Sequence, residues 1–384
     1  MNVPKLRFKE FNDEWATVEL SKISSDISYG MGLASKEYDG VNKYIRITDI
    51  DETTNKYSNK DIVSPDGELE DKYIVKQNDI LFARTGASTG KTYLYDDNDG
   101  KLYFAGFLIR ANIINHNANF IFQQTKTSKY NKWVRIMSMR SGQPGINSQE
   151  YGAYKFSITS LNEENKIANT LELLDKKIEL QTNKIEALKL FKLGIKNRMF
   201  ENGGNKLKLK DILSKWKEKN KNGTIKYIES INNKHGFISQ LDQFEDRSVA
   251  SKDLKNYYII RKNVFGYNPS RLNVGSLALK ENDTVSVVSP LYECFTTNQN
   301  NKFLLEWFDS KYFRRGASSK FEGGVRNTLN FSNLCEIEIN LPSLEKQDKY
   351  ASILSSFDKK ICLEDERLNK LNNLKKGLLQ KMFV

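Results

Sequence analysis

The sequence predicts an α+β chain in which two mixed α/β domains alternate with two long helices. The first observation is a repeat. Residues 161–200 recur without a gap as residues 344–383, and the tetrapeptide DKKI begins at Asp175 and again at Asp358, which defines the repeat interval. The second observation is that short β-branched and aromatic runs, separated by turn residues, precede each copy, as is typical of strands. The pattern indicates a tandem duplication with a pseudo-two-fold internal repeat.

Composition narrows the class of protein. A chain of 384 residues can hold two or three domains. Its 60 basic and 48 acidic residues give a formal charge of +12, which favours a polyanionic partner, most commonly nucleic acid. A Lys-rich protein without such a partner is the alternative on charge alone.

Targeting and metal-binding signals are not evident. Residues 1–11 are basic but lack the apolar stretch of a secretory signal, and no run approaches the roughly 20 apolar residues of a membrane helix. Cys294, Cys335 and Cys362 are scattered, with no CxxC pair, which indicates neither a disulfide framework nor a zinc site. We therefore expect a reducing, cytoplasmic location.

Residues 1–158 are predicted to form the first domain. Four runs have the composition of strands: residues 18–20, 44–47, 73–75 and 79–83. A helix is expected near residues 118–139, where apolar residues recur at helical spacing. A polar loop is expected after it, at residues 140–147.

Residues 159–203 and 342–384 are predicted to be the long helices. Asn162 is a candidate N-cap, and Gly203 and Gly204 follow the first copy, as is typical of helix ends. Apolar residues recur at steps of three and four, with a polar break at Gln181 and Glu364, which is a heptad-like pattern. The predicted seam residues are Ile167, Leu171, Leu174, Ile178, Ile185, Leu188, Leu354, Phe357, Ile361, Leu368 and Leu371.

A narrow apolar seam on a helix of about 60 Å needs a partner. The simplest partner is the other copy, which would give an intramolecular two-helix coiled coil. The alternative is that each helix packs on its own domain as an ordinary amphipathic helix. The residues leave parallel and antiparallel pairing open.

Residues 204–341 are predicted to form the second domain, which shares framework runs with the first. Residues 208–212, 227–228 and 258–263 resemble residues 19–23, 44–45 and 73–78. The polar loops differ, because residues 84–91 have no close counterpart near residues 267–273. A shared framework with two different polar loops predicts two different binding surfaces.

The glycine-rich loop at residues 86–92 resembles a phosphate-binding loop only in part. Three residues separate Gly86 from Gly90 before Lys91, where the phosphate-binding motif has four. Residues 92–95 are predicted to be a strand, whereas phosphate binding needs a helix start. Nucleotide binding is therefore not expected. A nucleic-acid contact and an exposed hairpin tip are the remaining interpretations.

No catalytic constellation is evident. His116 and His235 are the only histidines, and neither has a metal-ligand neighbour at helical or loop spacing. Methyltransferase motifs and a glycine-rich cofactor loop are also missing from the sequence. We therefore predict no catalytic residue and no metal site, although dispersed acidic residues leave a metal-dependent nuclease site as an alternative.

Polar residues on irregular loops are the candidate DNA-binding residues, because their side chains can match base donors and acceptors in the major groove. Any single one is more often a solvated surface residue. In the two polar loops the candidates are Arg84, Thr85, Ser88, Thr89, Lys91, Asn268, Ser270, Arg271 and Asn273. In the segments before the long helices they are Gln143, Asn147, Lys320, Arg326 and Asn327.

The layout of variable domain, helix, variable domain and helix resembles the specificity (S) subunit of type I restriction–modification systems. The resemblance covers essentially the whole chain. It rests on the helix copies at residues 161–200 and 344–383 and on short strings such as PKLRF at residues 4–8 and SPLY at residues 289–292. It implies that each domain is a target recognition domain that reads one half of a bipartite DNA site. It also implies that the helices pair antiparallel and set the half-site spacing.

The resemblance further implies partners and chemistry. Double-stranded DNA and two methyltransferase (M) subunits would bind this chain, restriction (R) subunits would join through the complex, and no membrane would be involved. The M subunits would use S-adenosylmethionine to methylate a flipped adenine, and the R subunits would use ATP and Mg²⁺, so this non-catalytic chain would bind no cofactor. The alternatives are a coiled-coil protein-binding scaffold and a stand-alone DNA-modifying enzyme.

Overall fold

The computed structural model describes residues 3–139, 144–201, 204–233, 235–240, 253–321 and 328–384. Two compact units divide the chain. The first unit comprises Met1–Thr182 and Glu366–Val384, and the second comprises Asn183–Asp365. Each unit therefore contains one mixed α/β domain and a segment of each long helix. The domain boundaries expected from the sequence, which separate the helices from the domains, stay a prediction.

The first unit consists of short strands followed by helices. Its elements are β1 (Ala16–Glu19), β2 (Ser24–Tyr29), β3 (Ala34–Glu37), β4 (Lys43–Ile45), β5 (Val63–Asp66), β6 (Asp79–Ala83), β7 (Thr92–Leu94), β8 (Leu102–Phe104), β9 (Leu108–Ile113), α1 (Ala118–Gln124), α2 (Ser128–Met137), α3 (Ser148–Gly152), β10 (Lys155–Ile158) and the start of α4 (Leu161–Glu201). The largest sheet has the order β2-β9-β6-β7. β1 pairs antiparallel with β10, and β4 pairs in parallel with β8.

The second unit repeats this arrangement. Its elements are β11 (Asn205–Lys208), β12 (Leu213–Lys215), β13 (Glu229–Asn232), β14 (Gly236–Ser239), β15 (Tyr258–Ile260), β16 (Phe265–Tyr267), β17 (Leu277–Leu279), β18 (Ser286–Val288), β19 (Glu293–Thr297), α5 (Asn301–Phe308), α6 (Lys311–Ser318), α7 (Phe331–Cys335), β20 (Glu338–Leu341) and α8 (Leu344–Met382), which continues into the first unit. Its largest sheet has the order β12-β19-β16-β17, and β11 pairs antiparallel with β20. These pairings correspond to those of the first unit, which confirms the predicted fold with its internal repeat.

The helices of the two units begin at the same interval. Asn117 and Asn300 cap α1 and α5 with their side chains, and Asn147 and Asn330 cap α3 and α7 in the same way. The members of each pair are separated by the repeat interval, the spacing of the two DKKI tetrapeptides. An asparagine at an N-cap satisfies a backbone N–H that the helix leaves free. The duplication therefore extends well before the long helices.

Aromatic rings fill the main core of each unit. In the first unit Phe383 lies 5.2 Å from Phe120 and 6.4 Å from Trp15 between ring centroids. In the second unit Phe200 lies 5.4 Å from Phe303. Phe200 and Phe383 are also related by the repeat interval. The C-terminal end of each helix copy is therefore anchored in a domain core, and Phe383 closes the first unit although it lies at the end of the chain.

Two predicted elements differ from the structure. Residues 73–75 were expected to be a strand, but Asp71–Tyr73 forms a 3-10 turn, and Ile74 makes only an isolated bridge to Tyr103. The helix expected over residues 118–139 is two helices, α1 and α2. The break follows Thr125, whose hydroxyl donates to a carbonyl of α1, because the side chain of Thr127 then caps α2. By contrast, β1, β4 and β6 overlap the strands predicted at residues 18–20, 44–47 and 79–83.

The N-cap predicted for α4 lies too late in the sequence. α4 begins at Leu161, and the N–H of Glu164 donates to the carbonyl of Ser160 at 3.0 Å. Asn162 therefore lies inside the first turn and is not the cap. Glu163 and Glu164 also occupy the first turn, where carboxylates interact favourably with the helix dipole.

Candidate nucleic-acid interface and helix seam

The candidate residues of the first unit lie on the β6–β7 hairpin. The N–H of Ala83 donates to the carbonyl of Lys91 at 2.8 Å, and the N–H of Gly90 donates to the carbonyl of Ala83 at 2.9 Å. Gly90 has a φ of +89°, and a Cβ there would lie 2.4 Å from Cγ1 of Val134. The turn therefore requires glycine for a structural reason. The predicted strand after it is confirmed by β7, and a strand does not offer the helix start that phosphate binding uses.

The segment before α3 packs against this hairpin. Thr85 forms an isolated bridge with Gly145, and the N–H of Ile146 donates to the carbonyl of Arg84 at 2.9 Å. The structure thus brings together the two groups of candidates that the sequence assigned to the first domain. Gln143, which belongs to the second group, lies outside the described residues.

Three of these candidate side chains are occupied within the unit. The hydroxyl of Thr89 donates to a carbonyl three residues earlier at 2.8 Å. Nζ of Lys91 donates to the carbonyl of Ile50 at 3.1 Å. Oδ1 of Asn147 accepts the N–H of Glu150 at 2.9 Å as the cap of α3. These three residues hold the framework of the surface in the described structure.

Arg84, Thr85 and Ser88 are the partly exposed candidates that remain on this surface. The guanidinium of Arg84 lies over the ring of Tyr29, 4.9 Å from its centroid. The hydroxyl of Tyr29 accepts the N–H of Ser148 at 3.0 Å, so the ring is held at both its face and its edge. A cation–π contact of this kind orients the planar guanidinium, and a planar guanidinium suits bidentate binding to guanine.

The corresponding loop of the second unit follows β16. Asn268 caps the 3-10 turn Pro269–Val274 by accepting the N–H of Ser270 at 3.0 Å. The N–H of Leu329, which lies in the segment before α7, donates to the carbonyl of the first residue of this turn at 3.1 Å. Ser270 and Arg271 are exposed. The second unit therefore places its polar loop against the segment before α7, as the first unit does with α3.

The other candidates of the second unit lie elsewhere or outside the description. Only the backbone of Asn273 is described, and Arg326 and Asn327 lie outside the described residues. Lys320 is exposed just after α6 and lines a cavity of about 520 Å³ together with Lys208 and Glu336, beside β11 and β20.

The predicted seam residues differ in burial. The buried ones are Ile167, Leu171, Leu174, Ile185 and Leu354. The half-buried ones are Ile178, Leu188, Phe357, Ile361, Leu368 and Leu371. Ile167 and Leu171 belong to the aromatic core of the first unit. The beginning of α4 therefore packs on its domain, which was the alternative to pairing, and the later positions are the ones available to pair with α8.

Within the second unit, α4 and α8 run antiparallel. Lys184 forms an ion pair with Glu364 at 2.8 Å, and Lys192 forms one with Asp358 at 2.7 Å. As residue numbers rise along α4, the residue numbers of their partners on α8 fall. The two helices are therefore antiparallel. Glu364 is buried. The polar break predicted at this position is therefore the acidic partner of an ion pair.

The first unit contains the same ion pair in its repeated form. Asp175 of α4 pairs with Lys375 of α8, and the repeat interval relates these residues to Asp358 and Lys192. Phe383, which follows the C-terminal end of α8, packs in the hydrophobic cluster that contains the start of α4. Both units therefore show antiparallel helix segments, which the resemblance had implied and the residues alone had left open.

Two exposed apolar residues beside the candidate loops were not predicted. Phe107 lies in the turn between β8 and β9, and its carbonyl accepts the N–H of Arg84 at 3.0 Å. Leu291 lies in the turn between β18 and β19, beside the loop that follows β16, because β19 pairs with β16 at Glu293 and Tyr267. Both side chains are exposed. An apolar residue inside a short turn between two strands is the only signal of this feature in the sequence.

The titratable groups do not form a metal site in the described part of the chain. No three His, Cys, Asp or Glu side chains among these residues are grouped so that they could hold a metal ion. Nδ1 of His116 lies 2.9 Å from Oε1 of Glu164, so this histidine fastens the start of α4 to the domain. The helices described include none that is long and apolar enough to cross a membrane.

Comparison with protein families places this arrangement in context. The family model described as the type I restriction modification DNA specificity domain matches twice, at residues 12–190 and 204–373. A putative type I restriction enzyme specificity subunit of Methanocaldococcus jannaschii, MjaX, is 27% identical over 168 residues, which are 42% of this chain and 39% of that protein. The MjaVIII specificity subunit of the same organism is 21% identical over 347 residues, 81% of this chain and 79% of that protein.

Solved structures share the fold. The S subunit of a type I restriction-modification system from M. genitalium matches with a TM-score of 0.62 at 15% identity, over 100% of this chain and 99% of that one. A chain from a study of complex assembly and conformational transition of the type I R-M system matches with a TM-score of 0.55 at 15% identity, over 96% and 97%.

Proposed function

Because the chain belongs to the family of type I restriction modification DNA specificity domains, we propose that it is the DNA sequence-recognition subunit of a type I restriction–modification complex. The family membership confirms the resemblance drawn from the helix repeat. In this proposal each domain reads one half of a bipartite site in double-stranded DNA. The observation that carries it is that both units place a polar loop, after β6 or after β16, against the segment before α3 or α7.

The chemistry of the two loops supports reading of two different half-sites. The first unit offers Arg84, Thr85 and Ser88, and the second offers Ser270 and Arg271. Arginine and hydroxyl side chains can bind base edges, while the overall charge of +12 favours binding to the phosphate backbone. Since the frameworks correspond and the loops differ, an asymmetric target is expected.

The long helices are proposed to set the spacing between the half-sites. α4 and α8 each contribute residues to both units, so a change in helix length changes the linker between the two readers. Insertion of four residues after Thr182 and four after Asp365 adds about 6 Å to each helix. We expect the preferred gap between half-sites to grow by about two base pairs. An unaltered gap in a complex that still binds would contradict the role of the helices.

Exposed apolar residues on the long helices are the proposed contacts for two methyltransferase subunits. Leu180 and Leu374 are exposed in the first unit, and Phe191 and Leu363 are exposed in the second. The repeat interval relates the two sets, since Leu363 is the counterpart of Leu180 and Leu374 is the counterpart of Phe191. A surface that occurs twice suits two copies of one partner.

The ion pairs show how α4 and α8 are aligned, and this alignment puts the two exposed residues of each unit close together along the helix axis. If Asp175 is level with Lys375, then Leu180 is level with residue 370, four positions or about 6 Å from Leu374. The same count separates Phe191 from Leu363. If Ile178 and Ile361 are placed at heptad position a, Leu180 and Leu363 are at position c. Phe191 and Leu374 are then at position g. Positions c and g flank the same side of an antiparallel seam. Each unit therefore has one small apolar patch beside its helix pair.

This patch can be tested by stoichiometry. Leu180→Glu should remove one methyltransferase copy from the complex, Leu363→Glu the other, and the double variant both, as measured by native mass spectrometry. Leu190→Glu is the control, because Leu190 is exposed but its counterpart in the second helix copy is Asn373. Retention of two copies by the double variant would refute this docking site.

The chain is proposed to be non-catalytic and to bind no cofactor. S-adenosylmethionine would be used by the methyltransferase chains, which methylate adenine, and ATP and Mg²⁺ by restriction chains that join through the complex. Methylation or cleavage of DNA by the purified chain alone would overturn this part of the proposal.

The experiment that tests the function is a map of methylated adenines in a host that carries this chain with its methyltransferase. A bipartite, asymmetric motif is expected, and replacement of residues 204–341 by those of another family member should change one half only. Methylation without a bipartite motif, or a change in both halves, would contradict the proposal.

A further inference from the structure

Phe107 combines an exposed side chain with a backbone that several hydrogen bonds hold in place. Its side chain is 60% exposed, yet its backbone sits in a tightly held turn. The N–H of Leu108 donates to the carbonyl of Ala105 at 2.8 Å, and the N–H of Gly106 donates to the carbonyl of Met31 at 2.6 Å. A single exposed apolar residue needs no explanation by itself, but a backbone held in this way fixes the position from which the ring projects.

The strand next to this turn approaches so closely that only glycine fits. A Cβ on Gly30 would lie 2.4 Å from the carbonyl oxygens of Phe104 and Ala105. The N–H of Gly30 donates to the carbonyl of Leu108 at 3.2 Å. The turn is therefore braced from β2 as well as from within. The backbone of Phe107 is therefore held in place before binding, which favours a preorganised contact.

The immediate neighbour of Phe107 is the polar loop of the first unit. The carbonyl of Phe107 accepts the N–H of Arg84, whose guanidinium lies over Tyr29. The residue with the exposed ring thus pairs through its backbone with the residue whose guanidinium a cation–π contact orients. In the major groove, guanidinium groups bind guanine, and apolar side chains contact the 5-methyl group of thymine. Arg84 and Phe107 are therefore neighbouring residues of which one can bind guanine and the other can contact the methyl group of thymine.

The second unit presents an apolar side chain at the equivalent turn. Leu291 lies between β18 and β19, which correspond to β8 and β9, and is 76% exposed. The turn is closed by a hydrogen bond from the N–H of Tyr292 to the carbonyl of Ser289 at 3.0 Å, and the hydroxyl of Ser289 accepts the N–H of Leu291 at 3.3 Å. The feature is therefore retained in both units while the residue type differs.

We infer that Phe107 and Leu291 are sequence-reading residues, each of which contacts the 5-methyl group of a thymine in one half-site. This inference rests on the proposed function, because it assigns an apolar contact to the same two DNA-reading surfaces. The methyl contact supplies information that the polar loop cannot, since a hydrogen-bonding side chain does not detect a methyl group. One such contact in each half-site follows from the repeat.

The test uses the full chain in complex with its methyltransferase and duplexes that carry the mapped motif. Each thymine is replaced in turn by deoxyuridine, which removes only the methyl group. For the wild-type complex, one replacement in each half-site should weaken binding by about fourfold, the value of one buried methyl group. Phe107→Ala should abolish the sensitivity in one half-site, and Leu291→Ala should abolish it in the other.

Two further variants keep the result interpretable. Val41→Ala is the matched control, because Val41 is also an exposed apolar residue of the first unit and should leave every sensitivity unchanged. Phe107→Leu should retain part of the methyl sensitivity, because it introduces the side chain that the second unit uses. Loss of sensitivity in both half-sites from one substitution would overturn the assignment of one reader to each half-site.

The possible failures are distinguishable. If the wild-type complex shows no sequence-selective binding, the proposed function fails. If it binds selectively but no thymine replacement matters, or if Phe107→Ala weakens binding without changing the response to deoxyuridine, only the inference about these two residues is overturned.

Discussion

In both units the domain packs against the long helices in the same arrangement, but the charged side chains at this contact differ between the units. In the second unit Lys192 and Lys196 of α4 contact Glu306 at 2.6 and 3.1 Å. Lys196 also contacts Asp309, and Lys192 also contacts Asp358, each at 2.7 Å. Two ammonium groups are therefore shared among three carboxylates.

The first unit has an excess of positive charge at the same place. Gln123 and Lys126 are the counterparts, one repeat interval earlier, of the acidic residues Glu306 and Asp309. Nζ of Lys126 lies 3.8 Å from Asp175, which also pairs with Lys375. Two ammonium groups here share one carboxylate. Burial, followed by the nearby charge of Lys375, lowers the pKa of Lys126 to about 7, although the carboxylate of Asp175 opposes the shift.

The difference teaches that the duplication preserves packing and capping but leaves charge free to change. Caps and core rings at the repeat interval define where the helices start and end. The ionisable groups around these caps and rings can differ between the units as long as the packing accommodates them. We therefore expect the two units to respond alike when packing is disturbed and differently when pH or charge is changed.

The largest effect should come from the aromatic anchors that both units share. Phe383→Ala and Phe200→Ala should each lower the free energy of unfolding of one unit by about 3–5 kcal/mol, because a buried ring is replaced by a cavity. Hydrogen exchange followed by mass spectrometry can assign the loss, with the first unit affected by Phe383→Ala and the second by Phe200→Ala. Leu190→Ala is an exposed control. Equal loss of protection in both units from one substitution would contradict independent anchoring.

A smaller effect is expected at the residue near the start of each long helix that hydrogen-bonds to its domain, Glu164 of α4 or Gln347 of α8. The carboxylate of Glu164 accepts the N–H of Asn117 at 2.9 Å, and Oε1 of Gln347 accepts the N–H of Asn300 at 3.1 Å in the second unit. Glu164→Ala should cost about 2 kcal/mol, because a buried N–H loses its acceptor. Glu164→Gln should cost less, under about 1 kcal/mol, because the second unit already uses an amide there. Equilibrium urea unfolding measures both, and a larger loss for Gln than for Ala would contradict the argument.

The sequence allowed prediction of the parts of the fold that depend on regular spacing. The gapless helix repeat and its heptad-like pattern predicted α4, α8 and their pairing. The same interval separates Asn117 from Asn300 and Asn147 from Asn330, so the caps were also visible in principle. The sequence alone does not identify them as caps, because isolated identities between divergent segments carry little weight without knowledge of where the helices begin.

The use of individual side chains could not be predicted in the same way. Asn147 and Lys91 are predicted DNA contacts from their residue type, which stays a prediction, whereas the cap that Asn147 gives α3 and the hydrogen bond from Lys91 to the carbonyl of Ile50 were not predicted. In the sequence Phe107 is one phenylalanine between two strands, and nothing around it indicates that its side chain is exposed. Each role depends on neighbours that are distant in sequence and are brought together only by the sheet.

The response to pH should separate the units. The pKa of Lys126 falls from an ordinary 10.5 to about 7 on folding, so the folded chain binds fewer protons than the unfolded chain between these values. The stability of the first unit should therefore rise from pH 7 towards pH 10, by on the order of 1 kcal/mol per pH unit. Below pH 7 the cost of the buried charge is fully present.

A substitution tests this assignment. Lys126→Met should stabilise the first unit at pH 7 and remove most of its pH dependence, whereas Asp309→Asn at the matching position should leave the pH dependence of the first unit unchanged. Urea unfolding monitored by hydrogen exchange across pH 7 to 9 provides the measurement. A pH dependence that survives in the Lys126→Met protein would show that another group is responsible.

The smallest effect should come from the ion pair that the two units share. Asp358 is more exposed than Asp175, so solvent screens it more, and Asp358→Asn should cost at most about 0.5 kcal/mol. Asp175→Asn should cost about 1 kcal/mol, because it leaves Lys126 and Lys375 without their common carboxylate. It should also lower the pKa of Lys126 further, which extends the pH dependence of the first unit below pH 7. Double-mutant cycles with Lys375→Met and Lys192→Met isolate the two pair energies, and equal energies would mean that the neighbouring Lys126 has no influence on this repeated contact.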